Sequence, residues 1–238
     1  RSVGCPATLL VCKGTSHRES RLREDPMGSP TPAVSAEQFL PDRITLTSLY
    51  HAAQICRGCP LYQNATQTVF GKGRSDARVV LVGEQPGNDE DLQGEPFVGP
   101  AGRLLDQALA RAGIARADAY VTNVVKHFKW TPMGKRRLHQ KPNAREIGAC
   151  LPWLEKEIEV IQPEILVCLG ATAARAIMGR AFRVTQQRGQ VWPSRFAERT
   201  VATVHPSSIL RQPTTEDRNR EMHQLTADLR IVARLLDS

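Results

Sequence analysis

Apolar and polar positions divide residues 45–236 into short, wholly apolar runs and longer amphipathic ones. Val79-Val80-Leu81-Val82 is apolar at every position, which marks a short strand covered on both faces. Ala119 to Val125, Ile165 to Leu169 and Thr200 to Val204 read the same way. Between them the apolar positions follow a helical period, which predicts helices over 101–112, 144–160, 171–178 and 216–236. Leu46, Leu49, Tyr50 and Ala53 share one face of a further helix. Residues 182–192 predict a hairpin around Arg188-Gly189. Alternating strands and helices give an α/β fold, a three-layer αβα arrangement with a central four-stranded parallel sheet. Residues 1–44 mix charge with Ser, Pro and Gly and hold no period, so they predict a disordered or loosely attached tail before a domain of residues 45–238. Met27 to Pro32 resembles a start site inside a longer reading frame.

Composition narrows the class. No apolar run approaches the ~20 residues of a membrane span, and Ala7 to Val11 is too short for a secretion signal, so a cytoplasmic monomer is expected. The net charge of +8 points to a polyanionic partner, nucleic acid first. Six cysteines without a secretion signal argue against a disulfide framework. Cys56-x-x-Cys59 is open to redox, zinc or iron–sulfur chemistry; no thioredoxin-like βαβ start surrounds it, which favours a metal or cluster. Cys5 and Cys12 read as incidental, and Cys168 as a small core residue.

Candidate chemistry gathers just after the strands. Gly83-Glu84-Gln85-Pro86-Gly87 forces a sharp turn at the C-terminal end of the first one, the edge where open α/β sheets bind ligands. Asp89-Glu90-Asp91 and Phe97 follow. Asn123 interrupts the second apolar run, and a buried amide needs a partner in the chain or a ligand edge to read. Lys126 to Pro142 then carries six Lys or Arg, no acid, and Phe128 and Trp130 between them, a composition suited to a nucleic-acid backbone and its bases. His139 closes Lys135-Arg136-Arg137-Leu138-His139 on what reads as a loop. The fourth strand runs into His205-Pro206-Ser207-Ser208. A flat ring at Phe97, an amide at 123 and imidazoles at 139 and 205 suggest a pocket for a base taken out of a strand, be it uracil, cytosine or another. The competing reading is an anion-binding module, with Gly170-Ala171-Thr172 opening a helix. Gly71-Lys72-Gly73 precedes its strand, so it is not a dinucleotide fingerprint.

The strand with GEQPG, the acidic run and PFVGPAG, then TNVVK, then HPSS, resemble the uracil-DNA glycosylase superfamily in its iron–sulfur, family 4-like branch. Gln85 and the KRRLH segment resemble the X-type members, which attach covalently to uracil-DNA. The resemblance covers about Leu46 to Leu236 and implies the glycosylase fold and single-turnover excision of uracil, preferentially from single-stranded DNA. It assigns uracil binding to Asn123, Phe97, Gln85 and Gly83, and catalysis to His139, Glu84, His205 and Gln85. Asn123 would read the base edge, Phe97 stack on the ring, His205 stabilise the departing base, Glu84 face the sugar and His139 attack C1′. Lys135, Arg136, Arg137, Ser207 and Ser208 would hold DNA. A [4Fe-4S] cluster would take Cys56, Cys59, His127 and Cys150, with His127 where the branch has cysteine; three thiolates and one imidazole also describe a zinc site.

Overall fold

The computed structural model describes residues 35–237. The element order is α1 (Leu46–Ala53), β1 (Val79–Gly83), α2 (Asn88–Gln93), α3 (Pro100–Ala112), β2 (Ala119–Asn123), β3 (Trp130–Met133), β4 (Arg136–His139), α4 (Ala144–Ile161), β5 (Ile165–Leu169), α5 (Ala171–Met178), α6 (Val184–Gln187), β6 (Val191–Trp192), β7 (Thr200–Thr203), α7 (Pro206–Leu210) and α8 (Thr215–Leu236). The main sheet has the order β2-β1-β5-β7-β6. Its first four strands are parallel, as the alternation requires.

Alternate residues of each parallel strand feed two separate cores. Val80, Val82, Leu166 and Cys168 pack with Leu49, Trp153 and Leu154 on one face. Val79, Leu81, Val121 and Val167 pack with Leu105, Leu109 and Leu229 on the other. Both faces being covered is why the strands carry no polar alternation. Among the described residues no helix is long and apolar enough to cross a membrane.

The structure departs from the sequence reading in three places. The sheet has five strands, because Val191–Trp192 adds an antiparallel edge to β7. Residues 182–192 are therefore not a hairpin: α6 occupies 184–187, the chain turns at Gly189 (φ 66°), and the Gly189 N–H bonds to Ala202 O, which directs β6 onto β7. Second, the folded domain begins before residue 45. Ala36 is fully buried in a 3-10 turn spanning Ala36–Phe39, and Phe39, Leu40 and Ile44 pack on the core behind it. The rest of the expected tail, with Cys5, Cys12 and the Met27 segment, lies outside the described residues.

Third, the basic segment is not a loop. β3 and β4 form an antiparallel hairpin with Trp130 opposite His139 and Met133 opposite Arg136, turning at Gly134 (φ 59°). Directly opposed residues share a face. Thr131, Met133, Arg136 and Leu138 therefore share one face, and Trp130, Pro132, Arg137 and His139 the other. The acidic run is likewise ordered as α2, whose Glu90 accepts the N–H groups of Gly87 (3.0 Å) and Gly99 (2.9 Å) and so shapes the turn after β1.

Candidate active site

A cavity of about 690 Å³ opens at the C-terminal edge of the parallel sheet. Glu84, Gln85, Phe97, Asn123, His139, His205 and Ser207 all line it, brought together from the β1 turn, the loop before α3, the end of β2, β4 and the start of α7. Gly83 ends β1 against Asn123 and Phe97. A Cβ there would meet Asn123 Oδ1 and the Phe97 ring, so glycine lets both side chains close over the strand end. Phe97 itself has φ 58°, a left-handed conformation that costs a bulky residue of order 1–3 kcal/mol. Gly102 permits it, because a Cβ there would collide with the Phe97 carbonyl. The ring lies 6.1 Å from that of His205 at an interplanar angle of 27°.

Asn123 is buried, yet among the described residues its side-chain amide has no hydrogen-bond partner; it faces the cavity. His205 has its tautomer set by its neighbours. The Ser207 N–H can only donate, and it points to Nδ1 at 3.1 Å, so the neutral ring carries its proton on Nε2. Burial, with Arg211 and His139 nearby, pushes its pKa down to about 4, which keeps the ring neutral.

His139 is held by Gln85. The Lys129 N–H (3.2 Å) identifies the Gln85 oxygen, so the Gln85 amide nitrogen faces His139 Nε2 at 2.9 Å and donates to it. Nε2 is thus the lone-pair nitrogen. Glu84 Oε1 lies 3.8 Å from the same atom, while Glu84 Oε2 accepts from the Thr172 hydroxyl. Burial lowers the His139 pKa, opposed by Glu84 and reinforced by Arg211.

Six cations looked unpaired in the segment 126–142, but elements distant in sequence neutralise three of them: Lys126 pairs with Glu157, Lys129 with Glu146 and Arg137 with Asp91. Arg137, expected to hold DNA, is engaged within the chain. Its guanidinium bonds Asp91 Oδ2 (2.6 Å), Asn88 Oδ1 (2.8 Å) and Thr66 Oγ1 (3.1 Å) and sits 5.4 Å from the centres of both Phe128 and Trp130. It locks the hairpin onto α2. The Ser208 hydroxyl, also expected to hold DNA, donates to the His205 carbonyl at 2.7 Å at the start of α7. Lys135 and Arg136 are exposed at the hairpin turn. Sequence reasoning missed Lys141 and Arg211 as cavity residues and the hydrogen bond from Thr172 to Glu84. Thr172 had a signal, a helix opening after β5; Arg211, one turn beyond HPSS, had none.

Behind the hairpin, Cys56 and Cys150 are buried and Cys59 is half-buried, all as thiols. Cys56 Sγ accepts from Trp153 Nε1 (3.3 Å) and Gly58 N–H (3.4 Å), and Cys150 Sγ from Lys126 N–H (3.2 Å). Burial pushes the Cys150 thiol up to about 12 against the opposing Lys126 charge, with Cys59 and Cys56 adding to the rise. His127 is buried and its pKa is pushed down to about 4 by that burial. The Thr68 hydroxyl donates to Ala53 O, so the His127 Nε2 beside it at 2.9 Å must donate, leaving the lone pair on Nδ1. Among the described residues no three His, Cys, Asp or Glu groups converge on the position of a single metal ion.

A parallel αβα sheet whose ligand cavity lies at the strand ends, lined by an amide, a carboxylate and two imidazoles, defines the class. The model of the uracil DNA glycosylase superfamily matches residues 70–230, and the chain belongs to that family. It is 41% identical to the type-4 uracil-DNA glycosylase of Thermotoga maritima over 162 residues, 68% of this chain and 81% of the relative. The type-4 enzyme of Pyrobaculum aerophilum is 38% identical over 175 residues, 71% of this chain and 86% of the relative. That of Archaeoglobus fulgidus is 36% identical over 176 residues, 71% and 85% of the two chains.

Proposed function

We propose that the chain is a uracil-DNA glycosylase of DNA repair, cleaving the N-glycosidic bond of uracil in the cavity at the strand ends. The observation that carries this reading is the pairing of Asn123, whose amide faces the cavity with no partner among the described residues, with His205, whose Nε2 carries the proton. Asn123 would read the polar edge of the base, and Phe97 would stack on its ring. As the C1′–N1 bond breaks, its electron pair moves onto uracil, and the His205 N–H stabilises the charge building on a carbonyl oxygen. Glu84 would face the oxocarbenium-like C1′, oriented by Thr172. Lys135, Arg136, Ser207 and the cavity cations Lys141 and Arg211 would take the phosphates. Single strands suit the cavity, because an unstacked base costs less to bring in.

Kinship with the type-4 enzymes favours a water that completes the reaction and allows turnover. A second reading rests on His139. Once Gln85 releases its hydrogen bond, the Nε2 lone pair would take the place of water, form an Nε2–C1′ bond, lose the Nδ1 proton to solvent, and leave the protein joined to the sugar.

Cys56, Cys59, Cys150 and His127 Nδ1 would hold a [4Fe-4S] cluster. Hydrogen bonds to two of the sulfurs and the second-shell bond that fixes the His127 tautomer fit such a group. Kinship with the type-4 enzymes favours the cluster over zinc, which the same three thiolates and one imidazole could also hold. Its role would be structural, tying the segment after α1 to β2 and α4. The test of the reading is excision by His205→Ala: a loss of about 100–1,000-fold against wild type is expected on uracil-containing single strands, and equal rates would overturn it.

A further inference from the structure

Lys126 is 1% exposed, and Glu157, its partner on α4, is fully buried. A lysine–glutamate pair in this position is costly, since both charges lose water, and an apolar pair would serve the fold as well. The network around it is complete. The three ammonium protons of Lys126 go to Glu157 Oε2, to Thr122 Oγ1 at 2.6 Å and to the main-chain carbonyl of Asn123 at 2.8 Å. Glu157 Oε1 accepts from Tyr120 Oη (2.8 Å) and Gly71 N–H (3.1 Å), and the Thr122 hydroxyl lies 3.0 Å from both carboxylate oxygens. Five of these contacts, made by Tyr120, Thr122 and the Asn123 carbonyl, fall on one strand, β2.

Tyr120 and Thr122 project from the face of β2 opposite to Asn123. The pair therefore grips the back of the strand whose front carries the proposed base-reading amide. Asn123 packs directly over Gly83, where even a Cβ would come within 2.3 Å of its Oδ1, so a small tilt of the strand end would shift the amide relative to the base edge. The backbone N–H of Lys126 donates to Cys150 Sγ, but that bond needs no side chain.

We propose that Lys126 and Glu157 are a positioning pair: they hold the end of β2 so that Asn123 meets the base edge, and they are kept for that alignment rather than for stability. This rests on the glycosylase reading above. The test is the double variant Lys126→Met/Glu157→Gln, which removes both charges and keeps an acceptor for Tyr120, Thr122 and Gly71. Melting curves and DNA affinity are measured beside single-turnover excision at saturating protein, with uracil and cytosine strands. The expected result is a folded protein with unchanged DNA affinity, whose excision rate falls by about 100-fold, the loss typical of a misplacement of about 1 Å. An unchanged rate in the folded variant overturns the proposal. So does a variant that fails to fold, since the pair is then structural. Wild-type protein that excises nothing from the uracil strand sinks the glycosylase reading instead, whatever the variant does.

Discussion

Glu84 on the β1 turn and His139 on the hairpin strand β4 stand 3.8 Å apart, carboxylate oxygen to imidazole Nε2. Gln85 donates to the same nitrogen at 2.9 Å, so the turn after β1 sets both the carboxylate and the imidazole at the edge of the cavity. Replacing His139 with Ser would remove the proposed nucleophile and leave the Asn123 and His205 side chains in place. Any protein–DNA band on a denaturing gel is expected to vanish, while uracil release continues. A band that persists in His139→Ser would assign the bond to another side chain. Glu84→Gln acts earlier and is expected to slow excision itself by about 100-fold or more.

Acidity separates the two histidines from free imidazole. Burial lowers the pKa of His139 from its ordinary 6.5 and takes that of His205 to about 4. A lowered pKa means the neutral ring persists as pH falls through the range where free imidazole is protonated. Adduct yield is expected to begin its fall at a lower pH than a free imidazole would set. A midpoint at or above the free-imidazole value would contradict the partial desolvation of His139.

Arg137 and its neighbours on the hairpin have separable effects. Arg137→Met leaves Asp91 buried without its cation, and a loss of about 3 kcal/mol in unfolding free energy is expected. Lys135→Gln and Arg136→Gln are expected to leave the melt unchanged and each to lower the slope of log affinity against log salt by about 1. An unchanged melt in Arg137→Met would show that the hairpin does not depend on this lock.

The thiol set makes a spectroscopic prediction. Protein purified without oxygen is expected to be brown and to carry about four irons per chain, with Cys150→Ser losing both. His127→Cys, which restores a thiol, is expected to keep them. Colourless protein with one zinc per chain would replace the cluster.

The main sheet was legible because its strands are buried on both faces, so Val79 to Val82 and Ile165 to Leu169 appear as unbroken apolar runs. The edge strand β6 was not, being two residues whose pairing is set by β7 rather than by their own pattern. The hairpin was hidden for a related reason. Pro132 sits inside β3, and Arg136, Arg137 and His139 give β4 no apolar alternation. Its order comes from Asp91, Asn88 and Gln85, which lie far away in sequence. Local charge misled in the same way: Lys126, Lys129 and Arg137 looked available for phosphate because their acids stand on other elements. Glu84, Asn123 and His205 could be singled out because each follows a strand, and strand ends of a parallel sheet converge on one edge. The left-handed Phe97 and the place of Arg211 at the cavity had no signature in the residue pattern.

The most direct measurement is of free base. Wild-type protein is mixed with a single-stranded oligonucleotide bearing one uracil, and with its thymine counterpart, at low salt, and the liberated bases are quantified. Uracil is predicted to appear from the first strand alone, leaving a site that is either alkali-labile or bound to the protein. Folded protein that binds both strands and leaves both intact would contradict the account.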